Sequence, residues 1–361
     1  MSQPLRVLVI GDPYMPVAAY AGALASLGDA TVTTVQIPDI TTVPARTDSE
    51  RRLAEYVGDP ADVVRAAAGQ DVLIVHGAPV SSEVLDAGPL RLVCCARGGP
   101  VNVDVAAATD RGIPVVNTPG KNAEAVAELT IAFALLLMRA VPRASRYLLD
   151  RGSLAESVFE GSEFFGYEAA SLTLGLVGLG QVGRAVATRA RALGFTLLGY
   201  DPQPDAVADG VGMVSLDTLL ERSDIVSLHA RATPGNRHMF SRAQFARMRP
   251  GAYFINTARE SLVDEVALRI ALEQGTLGGA ALDVLERPPA GSRHPLLSAP
   301  NVFATPHIGG ATAETLARGA QRAVAAVASL QAGQLPEHVV NPQVLPGRPG
   351  PSAWPAGSAS R

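Results

Sequence analysis

The sequence predicts an α/β fold: one doubly wound parallel sheet and a second, separate sheet of the same kind. Three observations predict it. Residues 172–201, LTLGLVGLGQVGRAVATRARALGFTLLGYD, read as strand, glycine turn, helix and strand, ending on Asp201. Apolar runs of strand length already alternate with helical stretches over residues 5–116. The alternation resumes after 201 and continues to about 305. Regular βαβ order demands parallel sheets with helices on both faces.

Taken in order, Leu5–Ile10 is a buried strand closed by Gly11-Asp12-Pro13. A helical stretch to Leu27, a strand over Thr31–Ile37 and a loop over Thr41–Asp48 follow. Ala61–Ala68 is helical, and Asp71–Val75 is a strand opening onto His76-Gly77-Ala78-Pro79-Val80. Leu90–Ala96 enters Arg97-Gly98-Gly99-Pro100, Asn102 or Asp104 caps a helix over Val105–Arg111, and Ile113–Val116 ends the first series. After a turn at 117–122, a helix from Ala123 that ends before Pro142 is apolar nearly all round. It must be buried, within the subunit or between two. Residues 143–170 predict a helix and a loop. Beyond Asp201, strands are expected at Asp224–His229, Ala252–Asn256, Gly279–Val284 and Val302–Thr305. Helices are expected at Asp217–Ser223, Arg242–Met248, Asp264–Gln274 and Thr312–Leu330. The Pro/Gly/Ser/Ala-rich stretch 343–361 reads as a mobile tail.

The glycine turn assigns a ligand. Gly178 permits the tight turn out of the strand, Gly180 lets a pyrophosphate approach the backbone, and Gly183 lets helix and strand pack closely. The helix N-terminus, at Gln181 and Val182, supplies amide donors and positive dipole. GxGxxG alone is weak, but here strand, helix and a carboxylate about twenty positions on agree. Asp201 can accept hydrogen bonds from ribose hydroxyls and repels a 2′-phosphate, and Pro202-Gln203-Pro204-Asp205 offers no cation to reverse that. NAD is expected rather than NADP.

Composition excludes several classes. The chain has 361 residues, 47% hydrophobic and 18% charged, with net charge −4, so nothing points to nucleic acid or an anionic membrane. Cys94 and Cys95 are adjacent in an apolar run and face opposite sides of a strand. They read as reduced thiols of a cytoplasmic protein, and no zinc spacing is present, so no metal is expected. Helix 123–141 carries Glu124 and Glu128 and falls short of a membrane span.

Three stretches after strands carry chemical residues: Asn256-Thr257-Ala258-Arg259-Glu-Ser-Leu-Val-Asp-Glu265, Ala281-Leu-Asp283-Val, and Thr305-Pro-His307-Ile-Gly309-Gly310. Strand C-termini line the ligand crevice of an open parallel sheet. Singly, each has a bland alternative of about equal weight: Arg259 a surface cation, Asp283 a helix or turn cap, His307 a satisfied loop histidine. Their joint placement favours a site.

With these motifs, GLVGLGQVG, NTARESLVDE, ALDV and TPHIGG, joined by RGGPVNVD at 97–104 and GIPVVNTPGKNAEAVAEL at 112–129, residues 5–341 resemble the D-isomer-specific 2-hydroxyacid dehydrogenases. That family includes phosphoglycerate dehydrogenases, glyoxylate and hydroxypyruvate reductases, formate dehydrogenases and corepressors. The resemblance implies a flavodoxin-like substrate domain over 1–117, completed by 312–342, and a Rossmann NAD domain over 118–311. It implies a homodimer built on helix 123–141. Arg259 would hold the substrate carboxylate and polarise the 2-keto oxygen, and protonated His307 would give that oxygen its proton. Asp283 would orient the nicotinamide carboxamide, with Ala230, Thr257, Ala258, Gly309 and Gly310 lining the cofactor. Gly77, Ala78, Gly98 and Gly99 would meet the far side of the substrate or the cofactor through backbone amides. Arg97, read from its place in the substrate-side loop, either selects a second anionic group or is a surface or helix-contacting cation.

One departure stands out. The acidic partner of the family's histidine falls five residues after the Asp of ALDV, where this chain has Pro288. Pro288 also argues against formate dehydrogenase, which has a Gln in that region. Glu286 is the nearest carboxylate, and either it swings in as a third catalytic group or His307 works alone. Two functions follow: hydride transfer between NAD(H) and a small D-2-hydroxyacid or 2-ketoacid, or an NAD-sensing, corepressor-like binding protein with little turnover.

Overall fold

The computed structural model describes residues 3–39, 41, 43–152, 160–203, 209–286 and 291–346. The chain divides into two compact units, Met1–Lys121 with Ala311–Arg361, and Asn122–Gly310.

Unit 1 holds five strands: β1 (Arg6–Gly11), β2 (Thr31–Gln36), β3 (Val72–Val75), β4 (Leu92–Cys95) and β5 (Val115–Val116). All pair in parallel in the order β2-β1-β3-β4-β5. This is the flavodoxin-like order, whose switch point lies between β1 and β3. Alternation sends Val7, Val9, Ile74 and Cys94 to one face, against Ala320, Ala323, Val324 and Val327 of the helix Ala313–Gln331. Leu8, Ile10, Val75 and Cys95 go to the other, against Val63, Ala67 and Ala107. The two cysteines therefore face opposite ways, as period-two geometry requires. Both are free and fully buried, and burial raises both thiols, Cys95 to about 11. The strand expected over 113–116 contracts to two residues, because Pro114 has no N–H to donate.

Unit 2 holds seven parallel strands: β6 (Thr173–Val177), β7 (Thr196–Tyr200), β8 (Gly212–Met213), β9 (Ile225–Leu228), β10 (Ala252–Asn256), β11 (Leu277–Leu282) and β12 (Val302–Ala304). Their order, β12-β11-β10-β9-β6-β7-β8, reverses direction between β6 and β9. That is the Rossmann switch point, with β6 leading into the glycine turn. One face buries Leu174, Leu176, Ile225 and Ile255 beneath the helices Ala123–Met138 and Gln181–Ala192. The other buries Leu228, Phe254 and Leu282 beneath Leu219, Phe245 and Leu268.

The apolar helix ends at Met138, earlier than its composition suggested. Ala140 turns left-handed at φ 51°, and a second helix, Val141–Arg151, starts with Pro142 in its first turn. Proline opens a helix well, since an N–H there would have no intrahelical partner. The supposed tail also needs correction at its start: Pro342–Val344 form a short helical turn and Val344 is fully buried. Its remainder, 347–361, lies outside the described residues. No single described helix is long and apolar enough to cross a membrane.

Candidate active site

The glycine turn is built as its chemistry requires. Gly178 sits at φ 98°, and a Cβ there would come within 2.7 Å of the Ala230 amide nitrogen. A Cβ on Gly183 would lie 2.1 Å from the Gly178 carbonyl oxygen, so the helix can approach the turn this closely only because residue 183 is glycine. Gly180 faces open space and is exposed. Just beyond it the first-turn amides of Gln181 and Val182 have no intrahelical acceptor. Room at Gly180 beside free donors fits a pyrophosphate.

Asp201, at the end of β7, takes the Leu179 amide on Oδ2 at 2.8 Å and the Gln203 amide on Oδ1 at 2.9 Å. Its carboxylate is thereby locked beside the glycine turn, with lone pairs left for ribose hydroxyls. Pro204 and Asp205 lie outside the described residues.

At the far side of the switch point, three neighbouring strands deliver the remaining groups. Asn256, buried at the end of β10, accepts from the Ala258 amide at 3.0 Å and donates to the Arg259 carbonyl at 3.0 Å. This brace fixes the turn that presents Arg259. The guanidinium is exposed and bonds only the Ala258 carbonyl, at 2.7 Å, which leaves most of its donor fork free. Thr257 points inward and shares a hydrogen bond with Thr130 at 3.0 Å.

Asp283, just past β11, is the organiser of the histidine loop. Its Oδ1 accepts from Thr305 Oγ1 at 2.6 Å and from the Ile308 amide at 2.8 Å. Its Oδ2 accepts from the Gly309 amide at 2.7 Å, and a Cβ on Gly309 would crowd that oxygen at 2.8 Å. The His307 amide meanwhile donates to the Asp283 carbonyl at 2.9 Å. The turn-cap reading of Asp283 is thus what the structure builds, and a carboxamide has only its remaining lone pairs. His307 itself adopts φ 58°, is exposed, and its ring has no partner among the described residues. Gly310 is buried behind it.

Glu286 is placed elsewhere. Its carboxylate lies 3.5 Å from Arg237 Nη2 and 3.8 Å from His238 Nε2, and not on His307. Its amide is held by Glu265 Oε1 at 2.8 Å, whose Oε2 pairs with His294 Nε2 at 2.9 Å. Of the two alternatives for Glu286, the structure has it away from His307: two basic neighbours draw its carboxylate, and the backbone anchor on Glu265 holds it there. Burial raises the Glu265 carboxyl even beside His294. Pro288 lies outside the described residues.

In unit 1 the loop after β3 also departs from expectation. The Gly77 amide, expected to meet a ligand, donates to Asp12 Oδ2 at 2.7 Å. Asp12 is buried and saturated, for it also takes the Tyr14 and Met15 amides and His76 Nδ1. Ala78 is fully buried, and its carbonyl accepts from Asn102 Nδ2 at 2.7 Å. Gly98 and Gly99 face open space. Arg97, expected to read a second anionic group, is engaged: Nη1 donates to the Glu55 carbonyl at 2.7 Å and Nη2 pairs with the Glu55 carboxylate.

The sequence reading passed over three groups. Asn256 was visible at the head of its motif, but its bracing role depends on the turn it closes. Lys121 and His229 gave no pattern at all, because only burial distinguishes them. His229, just after β9, is half-buried, its ring bonded to Ser227 through Nε2 and its buried Nδ1 unpartnered among the described residues. Burial pushes it down to about 4. Among the described residues no cluster of three or more His, Cys, Asp or Glu could hold a metal.

Residues 131–309 match the sequence model described as the D-isomer specific 2-hydroxyacid dehydrogenase, NAD binding domain. The chain is 38% identical over 275 residues to the glyoxylate reductase of Korarchaeum cryptofilum, covering 75% of this chain and 82% of that protein. It is 39% identical over 282 residues to the D-3-phosphoglycerate dehydrogenase of Methanocaldococcus jannaschii, covering 76% of this chain but only 52% of that one. The crystal structure of the TT0316 protein from Thermus thermophilus superposes with a TM-score of 0.77 at 34% identity, covering 93% of this chain and 100% of that chain.

Proposed function

The chain belongs to the D-isomer-specific 2-hydroxyacid dehydrogenase family, and we propose that Arg259 and His307 carry its chemistry. It is an NAD-dependent oxidoreductase acting between a D-2-hydroxyacid and the 2-ketoacid. NAD(H), when bound, supplies or takes up the hydride at carbon 2. The turn Gly178–Gly183 and the amides of Gln181 and Val182 would hold its pyrophosphate, and Asp201 its adenosine ribose. Asp201 favours NAD over NADP, since its fixed charge repels a 2′-phosphate.

Arg259 fits the substrate carboxylate: it is a bidentate donor that no acidic side chain among the described residues neutralises. The same cation polarises the 2-keto oxygen. His307 holds the proton that this oxygen receives on reduction and accepts it back on oxidation. The observation that carries this reading is the pair of braces, Asn256 on the Arg259 turn and Asp283 on the His307 turn. Both groups are presented from the C-terminal edge of one sheet without a neutralising partner.

Glu286 stays outside the mechanism, committed to Arg237 and His238. Supplied with glyoxylate, hydroxypyruvate and bulkier 2-ketoacids, the protein should oxidise NADH on at least one. His307→Gln should cut kcat by about 10²–10⁴-fold, the usual worth of a placed proton donor, while Glu286→Gln keeps both rate and pH profile. A tenfold loss in Glu286→Gln would restore it as the acid partner. Tight NADH binding without turnover on any ketoacid would instead support the NAD-sensing reading.

We assign a homodimer as the working assembly, through an apolar surface of unit 2. Cys94 and Cys95, buried and free, suit the cytoplasm.

A further inference from the structure

Glu265 opens the helix Glu265–Glu273, at the far end of the stretch that Arg259 begins, and its side chain is only 12% exposed. Both carboxylate oxygens are taken. Oε1 accepts from the Glu286 amide at 2.8 Å, and Oε2 meets His294 Nε2 at 2.9 Å. The His294 ring is 8% exposed, and its Nδ1 accepts from the Leu296 amide at 3.3 Å. A ring that accepts at Nδ1 carries its proton on Nε2, so His294 donates to Glu265. The position thus calls for two acceptors back to back, which a carboxylate supplies and an amide does not.

These three residues stand on the three stretches that carry the chemistry, all of them in unit 2. Between Arg259 and Glu265 the chain is held along residues 238–240. The His238 and Phe240 amides donate to the Ser261 and Leu262 carbonyls at 2.9 and 3.0 Å, and the Asp264 amide to the Phe240 carbonyl at 2.8 Å. A shift at Glu265 is therefore felt at Arg259. Glu286 lies just past Asp283, with Val284 buried between them. His294 caps the turn Pro295–Ser298, whose Leu296 is buried in the core, and the chain then enters β12 and reaches His307. Stability does not account for this arrangement. Burial raises the Glu265 carboxyl despite its hydrogen bonds, so keeping it ionised at neutral pH costs the fold stability.

We propose that Glu265 is a positioning residue, whose carboxylate clamps the segments after β10 and β11 to the one entering β12 and so holds the Arg259 and His307 turns at a fixed spacing. The proposal rests on the dehydrogenase reading for the reaction it serves. Asn256 and Asp283 brace the two turns one by one, and Glu265 joins them. A misplacement of about 1 Å at reacting groups costs on the order of 10²-fold in rate, so a loosened clamp shows in turnover.

Glu265→Gln keeps one acceptor and turns an NH₂ group toward the His294 N–H. It should lower kcat/KM for the best 2-ketoacid by about tenfold or more, through kcat and the ketoacid KM. NADH affinity should stay at the wild-type value, because the glycine turn and Asp201 lie on β6 and β7. A wild-type kcat/KM, or an NADH affinity that falls in step with it, would overturn the assignment and leave Glu265 a structural carboxylate. His294→Gln removes the other half of the clamp and should give the same loss. The double variant should lose no more than the worse single one, as residues acting as a unit do, and losses that multiply would refute a shared clamp. If Glu265→Gln fails to fold, His294→Gln decides by the same two readouts.

Hydrogen exchange separates this reading from the dehydrogenase one. In either variant the amides of Ala258, Ile308 and Gly309, bonded to Asn256 and Asp283, should exchange faster. Those of Gly178 and Leu179, bonded to Tyr200 and Asp201, should keep the wild-type rate. Faster exchange at the first set, in a protein that turns over no ketoacid, would sink the dehydrogenase reading and keep the clamp. Unchanged exchange there, in a protein that does turn one over, would sink the clamp alone.

Discussion

The ring of His229 shows how much one partly buried residue can set. It has no charged partner, and burial alone holds it down to about 4 in place of 6.5. Below pH 6.5 the unfolded chain therefore binds a proton that the folded chain refuses. Stability is intact above 6.5 and is lost as the pH falls toward 4. Between about pH 7 and 5 this one group should remove roughly 2 kcal/mol. Urea titrations of wild type and His229→Gln at the two pH values measure it: the variant should lose less stability on acidification, and parallel losses would show that other groups dominate. Sequence offers no way to anticipate this, since a histidine after a strand reads the same whether exposed or sealed. Arg259 and His307 could be singled out as candidates from sequence, because residue type and position after a strand are local features. Glu286 was left open between partner and bystander because the pull of Arg237 and His238 exists only once the chain is folded.

The glycine turn is the element whose sequence and structure agree most closely. Each glycine has its own steric reason, and Gly183 has the strictest, with 2.1 Å between a Cβ and the Gly178 carbonyl oxygen. That atom is backbone and cannot swing aside. Gly183→Ala should force helix Gln181–Ala192 away from β6, costing about 1–3 kcal/mol as overpacking does. It should also weaken NADH binding, because the amides of the helix N-terminus move with it. Thermal unfolding and NADH fluorescence titration together check this; an unchanged NADH affinity would mean that the helix start is not the phosphate site. The stretches carrying Arg259, Asp283 and His307 do follow strands β10, β11 and β12, as the sequence reading had them. Their braces escaped notice, because a hydrogen bond from Ile308 to Asp283 spans 25 residues.

At the scale of the whole molecule, the apolar helix was expected to form the dimer. Ala123–Met138 instead spends most of its apolar surface inside unit 2, against helix Gln181–Ala192 and the sheet. The exposed apolar surface lies next to it: Val141, Leu148 and Leu149 on the helix Val141–Arg151, with Phe165 at 86% exposure and Tyr167. A large exposed apolar patch is unusual on a monomer, and these residues are where the proposed homodimer would meet. Light scattering at micromolar concentration should report a dimer, and the double variant Leu149→Glu/Phe165→Glu should report a monomer with the unit 2 fold retained by circular dichroism. A wild-type monomer would remove the assignment of this surface.

What the sequence by itself determined is everything written in local periodicity and residue type. The alternation of strands and helices, the glycine turn with Asp201, and the acid, base and cation at strand ends all follow from spacing within short windows. Only the tertiary structure decided which of those groups are free. Arg97 is consumed by Glu55, the Gly77 amide by Asp12, and Glu286 by Arg237 and His238, while Lys121 is left buried without a partner. The reason is physical: a hydrogen bond or a desolvation penalty depends on what is within about 3 Å, and residues 42, 65 or 49 positions apart meet only when the sheets assemble.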